Sequence, residues 1–185
     1  MTSGFISEIF SSIQGEGLYV GERQCFLRLA GCNIQCAYCD TPTQELTATG
    51  KKEKTPGQRD FIQFNNPVTP AELVNYISSF LSNKELHHSF VITGGEPLLQ
   101  VGFLLELLPA FKKLGLKIFL ETNGTLPENL SEVIELIDIV SLDFKIASAT
   151  GQLSNYESQT LKSLEFSLLK EVFVKIVFTR ESKIT

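Results

Sequence analysis

The sequence lacks several features, and each absence excludes a class of protein. No segment approaches the roughly 18 to 20 apolar residues that a membrane-spanning helix needs. The first residues carry neither a basic region nor an apolar stretch of signal-peptide length. Acidic residues outnumber basic ones, 21 to 16, so a general affinity for nucleic-acid backbones is not expected. We therefore predict a cytoplasmic protein with no membrane or nucleic-acid partner.

Cysteine is scarce as well, with four residues among 185, but three of them form one compact motif. Cys32, Cys36 and Cys39 have the spacing C-x3-C-x2-C. Such close neighbours are poorly placed for a disulfide that staples a secreted domain. Three thiolates on one loop can bind an iron–sulfur cluster, and they are one fewer than the irons of a cubane cluster. The fourth iron would then be open to a small molecule.

A zinc site is the alternative interpretation of the three cysteines. Its fourth ligand would have to be Cys25, His87 or His88. We expect Cys25 to be a core residue instead, because it lies within an apolar strand segment. We expect the two histidines to lie on a solvated turn before a strand.

Strand and helix patterns alternate along the chain, which predicts a single α/β domain over residues 1–185. The strand segments are continuous apolar runs, as in parallel sheets that are covered on both faces. Five are recognisable: 24–30, 89–93, 117–122, 139–144 and 172–179. Helices are predicted after the N-cap Thr69 and over 98–114, 130–137 and 161–171, whereas 42–68 is predicted to be irregular. The predicted architecture is an incomplete parallel (βα) barrel.

Polar motifs follow four of these strands. The cysteine loop follows the first, Thr-Gly-Gly-Glu-Pro at 93–97 the second, Glu-Thr-Asn-Gly at 121–124 the third, and Asp143 and Lys145 the fourth. The carboxyl ends of parallel strands form the ligand site of such folds. Two adjacent glycines would let the backbone approach a ligand's amino-acid group closely. The four motifs therefore predict one shared site.

These motifs together resemble those of the radical S-adenosylmethionine (SAM) superfamily. The resemblance rests on the cysteine spacing with an aromatic residue before the last cysteine, and on Gly-Gly-Glu-Pro at 94–97. More narrowly, the chain resembles the 7-carboxy-7-deazaguanine synthase family. That likeness is carried by Glu-Ile-Phe-Ser-Ser-Ile-Gln-Gly-Glu-Gly at 8–17, by Phe-Leu-Arg-Leu-Ala-Gly-Cys at 26–32 and by Cys-Asp-Thr at 39–41. It extends from about Glu8 to Lys145.

The resemblance implies a lyase of 7-deazapurine biosynthesis, including the queuosine pathway. Such enzymes contract the ring of 6-carboxy-5,6,7,8-tetrahydropterin to give 7-carboxy-7-deazaguanine, with loss of ammonia. It also implies a [4Fe–4S] cluster, SAM and Mg²⁺ as cofactors, and a homodimer. The reacting species is a 5′-deoxyadenosyl radical, so no catalytic side chain is expected. A flavodoxin-like reductant could dock on the lysines of 42–68.

The family's site residues carry over by position. Cys32, Cys36 and Cys39 would hold the cluster, and Thr41 would bind Mg²⁺, for which a hydroxyl oxygen is a suitable donor. The residues expected on the substrate side are Ile13, Gln14, Gly15, Glu16, Arg28 and Thr93. Those expected on the SAM side are Tyr38, Cys39, Asp40, Gly95, Glu96, Asn123, Asp143 and Lys145.

Several alternatives stay open at this point. Arg28 could form a structural ion pair instead of binding the substrate carboxylate, and Asp143 could simply pair with Lys145. Many relatives have Ser-Pro-Lys where this chain has Asp-Phe-Lys at 143–145. The superfamily core usually has a sixth strand, so the end at Thr185 predicts a truncated domain, a partner that fills the gap, or a trimmed enzyme. A glycyl-radical activating enzyme and a non-catalytic zinc or electron-transfer module are the competing functions.

Overall fold

The computed structural model describes residues 2–41, 45–81, 84–151, 155–180 and 182, and these form one eight-stranded sheet flanked by helices. Along the sheet the strand order is β4-β3-β1-β2-β5-β6-β7-β8. The strands are β1 (Ile6–Ile13), β2 (Arg23–Leu29), β3 (Thr49–Glu53), β4 (Phe61–Asn65), β5 (Ser89–Gly94), β6 (Lys117–Thr122), β7 (Ile139–Phe144) and β8 (Glu171–Ile176). The sheet does not close on itself, since β4 and β8 are its two edges.

Strands β2 and β5 to β8 pair in parallel and confirm the five predicted strands. The incomplete parallel barrel is thereby confirmed. The prediction that 42–68 is irregular is wrong, because β3 and β4 form an antiparallel hairpin there; residues 42–44 lie outside the described part of the chain. Strand β1 was also missed, and it pairs antiparallel with β2 and parallel with β3.

The helices lie close to their predicted positions. Helix α1 (Pro70–Phe80) begins with a capping box, in which Thr69 and Glu72 each accept a hydrogen bond from the other's backbone amide. A 3₁₀ turn (Pro97–Gln100) leads into α2 (Val101–Lys113), which ends before Gly115 in the left-handed conformation. The others are α3 (Pro127–Val133), α4 (Ala147–Thr150) and α5 (Glu157–Ser167). No helix in the described ranges is long and apolar enough to cross a membrane.

Side chains alternate between the two faces of the sheet. On β2, Cys25, Leu27 and Leu29 are fully buried in the core beneath the helices, whereas Phe26 and Arg28 point to the concave face. The concave face has its own apolar floor, formed by Phe10, Tyr19, Phe26, Val91, Phe119, Ile139 and Phe173. The predicted core position of Cys25 is confirmed.

The prediction of a solvated position for the two histidines is wrong for His87. Its side chain is 5% exposed, and its Nε2 lies 2.9 Å from the Ser11 hydroxyl. The same hydroxyl accepts a hydrogen bond from Arg23 Nε at 3.0 Å. Polar partners from β1 and β2 therefore make burial of this imidazole possible.

The carboxylate of Glu96 ties together the ends of two parallel strands. Its Oε1 accepts from the Thr122 hydroxyl at 2.9 Å and from the Leu98 amide at 3.0 Å, and its Oε2 accepts from the Asn123 amide at 2.7 Å. The Glu96 amide donates to Gly31 O at 2.9 Å, which joins the cysteine loop to the same group. The side chain is fully buried, and burial raises its pKa to about 7 even though these donors oppose the rise.

The raised pKa makes stability depend on pH in a defined direction. In the folded apoprotein Glu96 takes up a proton below about pH 7, whereas its ordinary pKa is 4.5. The native state therefore binds more protons than the unfolded state between these values, and the free energy of unfolding falls as pH rises through this window. The expected loss is about 3 kcal/mol, since one pKa unit corresponds to about 1.4 kcal/mol. Urea unfolding of the apoprotein from pH 4.5 to 8 measures it.

Glu96→Gln is the matched variant, because it keeps the shape of the side chain and removes its titration. We expect the difference in unfolding free energy between the two proteins to change with pH in the stated direction. Parallel curves over the whole window would contradict the assignment.

Candidate functional site

A cavity of about 530 Å³ lies on the concave face at the carboxyl ends of the parallel strands. Its lining contains every predicted site residue except Glu96, which lies in the packed layer behind it. The predicted residues that it brings together are Ile13, Gln14, Gly15, Glu16, Arg28, Cys32, Cys36, Tyr38, Cys39, Asp40, Thr41, Thr93, Gly95, Asn123, Asp143 and Lys145. The convergence that the sequence predicted is therefore present.

The three thiols lie on the loop after β2 and face this cavity. Cys32 and Cys36 are half-buried and Cys39 is exposed. Burial raises the pKa of the Cys36 thiol, and the Lys145 ammonium and the Tyr38 hydroxyl oppose that rise. Among the described residues no set of three metal ligands is already assembled. The three thiols thus line the same cavity without forming an assembled ligand set.

The zinc alternative needs a fourth ligand that the fold places elsewhere. Cys25 is opposite Phe90 near the amino-terminal end of the parallel strands, and His88 directly precedes β5. The cysteine loop follows the carboxyl end of β2. Each strand residue adds about 3.3 Å, so the length of a strand separates these candidates from the loop. His87 lies beside His88, with its Nε2 at 2.9 Å from the Ser11 hydroxyl. None of the three candidate fourth ligands therefore lies at the cysteine loop.

Packing against protein explains the two glycines at the end of β5. A Cβ on Gly94 would overlap the Leu29 carbonyl oxygen, and one on Gly95 would overlap the Gly31 carbonyl oxygen and lie 2.7 Å from Cys32 Cβ. The sequence predicts that these glycines allow a close approach to a ligand. In the structure, the missing side chains allow β5 to pack against β2 and the cysteine loop.

A chain of amides holds the cysteine loop against the end of β6. Asn123 Nδ2 donates to Asn33 Oδ1 at 3.0 Å, and Asn33 Nδ2 donates to the Thr125 hydroxyl at 2.7 Å. Asn123 Oδ1 in turn accepts from the Thr125 amide at 3.0 Å. Neutral hydrogen bonds of this kind fix the loop without adding charge to the cavity.

Arg28 reaches the cavity from β2, and its position is compatible with both of its predicted roles. Its Nε lies 3.6 Å from Glu8 Oε2, and its guanidinium carbon lies 5.5 Å from the centre of the Phe10 ring. The ion pair is long and engages one edge of the guanidinium. Because Arg28 also lines the cavity, its fork can meet an anionic group there.

Asp143 and Lys145 do pair, and the pair lies in the cavity. Lys145 Nζ lies 2.6 Å from Asp143 Oδ2 and 3.3 Å from the Tyr38 hydroxyl. Burial lowers the pKa of Lys145, but the Asp143 carboxylate outweighs it and raises this pKa above its ordinary value. The ammonium therefore stays charged beside Cys36. The structural ion pair and a ligand role are not exclusive here.

Sequence reasoning missed Lys175, and it gave no individual role to Glu121, which belongs to the predicted polar motif at 121–124. Glu121 Oε1 accepts from Gln14 Nε2 at 3.0 Å, and Gln14 also donates to Gln24 Oε1 at 3.0 Å. Lys175 Nζ lies 2.7 Å from Glu16 Oε2. The available signal was the alternation of side chains between the two faces of a strand. Glu121 and Lys175 each lie two positions after a phenylalanine of the concave floor, so they face the same side.

Comparisons with known proteins agree with this geometry. Residues 27–163 match the radical SAM superfamily. The chain is 38% identical over 179 residues to 7-carboxy-7-deazaguanine synthase of Geobacter sulfurreducens, covering 96% of this chain and 71% of that protein. It is 33% identical over 177 residues to the enzyme of that name from Methanopyrus kandleri, covering 95% and 70%.

Solved structures support the fold. The crystal structure of QueE from Escherichia coli is similar with a TM-score of 0.56 at 20% identity, over 95% of this chain and 84% of that one. A structure of TYW1 with a bound lysine-pyruvate adduct is similar with a TM-score of 0.53 at 17% identity, over 86% and 56%. Three thiols and the polar ends of five parallel strands lie around one cavity. Together with the sequence matches, this shows that the chain belongs to the radical SAM superfamily and, within it, to the 7-carboxy-7-deazaguanine synthase family.

Proposed function

We propose that this chain is a radical SAM lyase that converts 6-carboxy-5,6,7,8-tetrahydropterin to 7-carboxy-7-deazaguanine with loss of ammonia. The observation that carries the proposal is that one cavity is lined by two sets of residues. Cys32, Cys36 and Cys39 are one set, and Gln14 and Arg28 belong to the other. A glycyl-radical activating enzyme would not need the latter two residues, so the cavity favours the pterin reaction.

The cysteine loop would hold a [4Fe–4S] cluster, and the iron without a thiolate ligand would be open to SAM. Three thiolates are available from this loop, and the fold holds the other cysteine in the core. When bound, reduced cluster and SAM supply a 5′-deoxyadenosyl radical that abstracts a hydrogen from the substrate. The chain's own part is to hold the two ligands in register and to keep water from the reacting atoms.

On the SAM side, Tyr38, Asn123, Asp143 and Lys145 offer the polar contacts. Asp143 and Lys145 neutralise each other, so they add hydrogen-bonding groups without a net charge. Gly95 adds a backbone surface beside Cys32. Two further residues proposed for this side, Glu96 and Asp40, differ in placement: Glu96 supports the wall from behind, and Asp40 lines the cavity.

On the substrate side, Arg28 is proposed to pair with the pterin carboxylate, where its planar fork matches two oxygens. Gln14 is fixed by Gln24 and Glu121, so its amide is oriented before any ligand arrives. Ile13, Gly15, Glu16 and Thr93 complete this side. A homodimer stays a prediction of the family resemblance, and a flavodoxin-like electron donor, a cytoplasmic location and a single domain over 1–185 stay predictions from the sequence.

Mg²⁺ is proposed to bind at Thr41, next to the last cysteine. The Thr41 hydroxyl donates to Asp40 Oδ1 at 2.9 Å, so two oxygen donors lie side by side on the cavity wall. Mg²⁺ prefers such donors and keeps several of its waters. These two oxygens would therefore bind Mg²⁺ together with atoms of a bound ligand.

Replacing one cluster thiol should abolish the cluster. We expect Cys36→Ala, after anaerobic reconstitution with iron and sulfide, to lose the visible absorption and the paramagnetic signal of a reduced cubane. Cys25→Ala is the matched control, because its thiol is buried in the core; it should keep the cluster and lose about 1 kcal/mol of stability. A Cys36→Ala protein with full cluster content and activity would refute the ligand assignment.

Replacing the guanidinium of Arg28 with an ammonium should weaken substrate binding. Arg28→Lys keeps the charge and loses the two-pronged geometry, so KM for the carboxylated pterin should rise about tenfold while cluster content is unchanged. Glu8→Gln is the control, since it removes the neighbouring carboxylate and leaves the guanidinium in place. Steady-state kinetics with excess dithionite measure both. An unchanged KM in Arg28→Lys would leave Arg28 only its structural ion pair.

Removing the Thr41 hydroxyl should weaken the response to Mg²⁺. In Thr41→Ala the concentration of Mg²⁺ for half-maximal activation should rise about tenfold, because one oxygen donor is lost. Thr41→Ser, which keeps the hydroxyl, should behave like the parent chain. Activity that is independent of Mg²⁺ in the unmodified protein would remove the ion from the proposal.

A further inference from the structure

The segment after β1 crosses the open side of the half-barrel and contacts the last strand, β8. A 3₁₀ turn (Gly17–Tyr19) lies in this segment. The Tyr19 hydroxyl donates to the Glu171 carboxylate, and a Cβ on Gly17 would overlap the Phe173 ring. Residues 16–19, here named the crossing segment, are thus in contact with successive concave-facing residues of β8.

Lys175 makes the contact nearest to the cavity. Its Nζ lies 2.7 Å from Glu16 Oε2 and 3.7 Å from Asp143 Oδ2. Asp143 stands directly opposite Lys175 in the parallel pairing of β7 and β8. One ammonium therefore faces a carboxylate from the crossing segment and a carboxylate from the SAM side of the cavity.

The charges around Lys175 indicate which of the two contacts depends on it. Lys145 already neutralises Asp143 at 2.6 Å, and that pair is mostly buried. The Glu16 amide donates to Gln14 Oε1 at 3.1 Å, which fixes the start of this backbone. The Glu16 side chain is 64% exposed, and Gly15 and Gly17 on either side of it add little stiffness. Lys175 is thus the partner that holds the Glu16 carboxylate at the cavity.

We propose that Lys175 is a positioning residue for substrate binding. It holds the Glu16 carboxylate at the cavity, next to residues 13–15, and it ties this carboxylate to Asp143 on the SAM side. The proposal rests on the proposed function, because residues 13–16 are there the substrate side. It goes beyond that function by giving β8 a part in the site, through a residue that need not touch the reacting atoms.

The first test needs neither cofactor nor turnover. Hydrogen–deuterium exchange of the apoprotein should show faster exchange of the amides in 14–20 for Lys175→Met than for the unmodified chain. Lys175→Arg keeps the charge and should restore slow exchange. Lys162→Met is the matched control, because Lys162 also pairs with a glutamate at 2.7 Å but lies outside the cavity lining. It should leave exchange of 14–20 unchanged.

The second test uses the reconstituted enzyme. Lys175→Met should raise KM for the carboxylated pterin about fivefold, with a smaller change in kcat, and Lys175→Arg should recover most of it. SAM cleavage that yields no deazaguanine product should increase relative to product formation, because the substrate side is no longer fixed. Lys162→Met should change neither quantity.

The outcomes separate this proposal from the proposed function. Unchanged exchange of 14–20 in Lys175→Met would overturn the positioning role whether or not the enzyme is active. Faster exchange with an unchanged KM would overturn its role in substrate binding. An unmodified chain that binds a cluster and cleaves SAM, but forms no deazaguanine, would refute the proposed function and leave the exchange result intact.

Discussion

The buried carboxylate of Glu96 is the constraint on which the geometry of the site depends. An isolated charge is costly to bury, so a carboxylate in this position is tolerated only with several donors around it. Those donors come from the end of β6 and from the turn into α2, while Glu96 itself follows β5. The Glu96 amide adds the carbonyl of Gly31, directly before Cys32. A residue that does not line the cavity therefore joins the cysteine loop to the ends of β5 and β6.

The strands combine a packed floor with a polar rim because their side chains alternate. Along β2, Cys25, Leu27 and Leu29 face the helices, whereas the residues on the concave face change from Phe26 to Arg28. The same change occurs on β6, from Phe119 to Glu121. An aromatic layer beneath charged groups lowers the local dielectric and strengthens their interactions. The half-barrel thus concentrates its electrostatics at the end where the strands stop.

The sequence was sufficient for the parallel half of the sheet and for most of the site. Long apolar runs identify β5, β6 and β7 because those strands are covered on both faces at their centres. Strand β3, Thr-Gly-Lys-Lys-Glu, carries no such run, since it lies near the sheet edge and buries only Gly50 and Glu53. Its pairing with β1 is a long-range contact that local pattern does not report.

Lys175 shows a different limit of sequence reasoning. On an edge strand, a lysine is normally interpreted as a solvated residue that prevents aggregation. What gives it another role is the path of the crossing segment, which comes from the other end of the chain in sequence. Only the folded arrangement brings Glu16 within 2.7 Å of it. Residues whose role depends on contacts across more than a hundred positions are the ones that a motif cannot reveal.

Two contacts connect residues 14 and 16 to the parallel strands of the sheet. Gln14 bonds to Glu121 on β6, and Glu16 bonds to Lys175 on β8. In both contacts the donor and the acceptor are in place without a ligand, so the loss of freedom on binding is reduced in advance. A radical reaction benefits from such order, because a loosely placed substrate would let the radical react elsewhere. In the proposed function, these contacts would orient the substrate-binding residues before the substrate arrives.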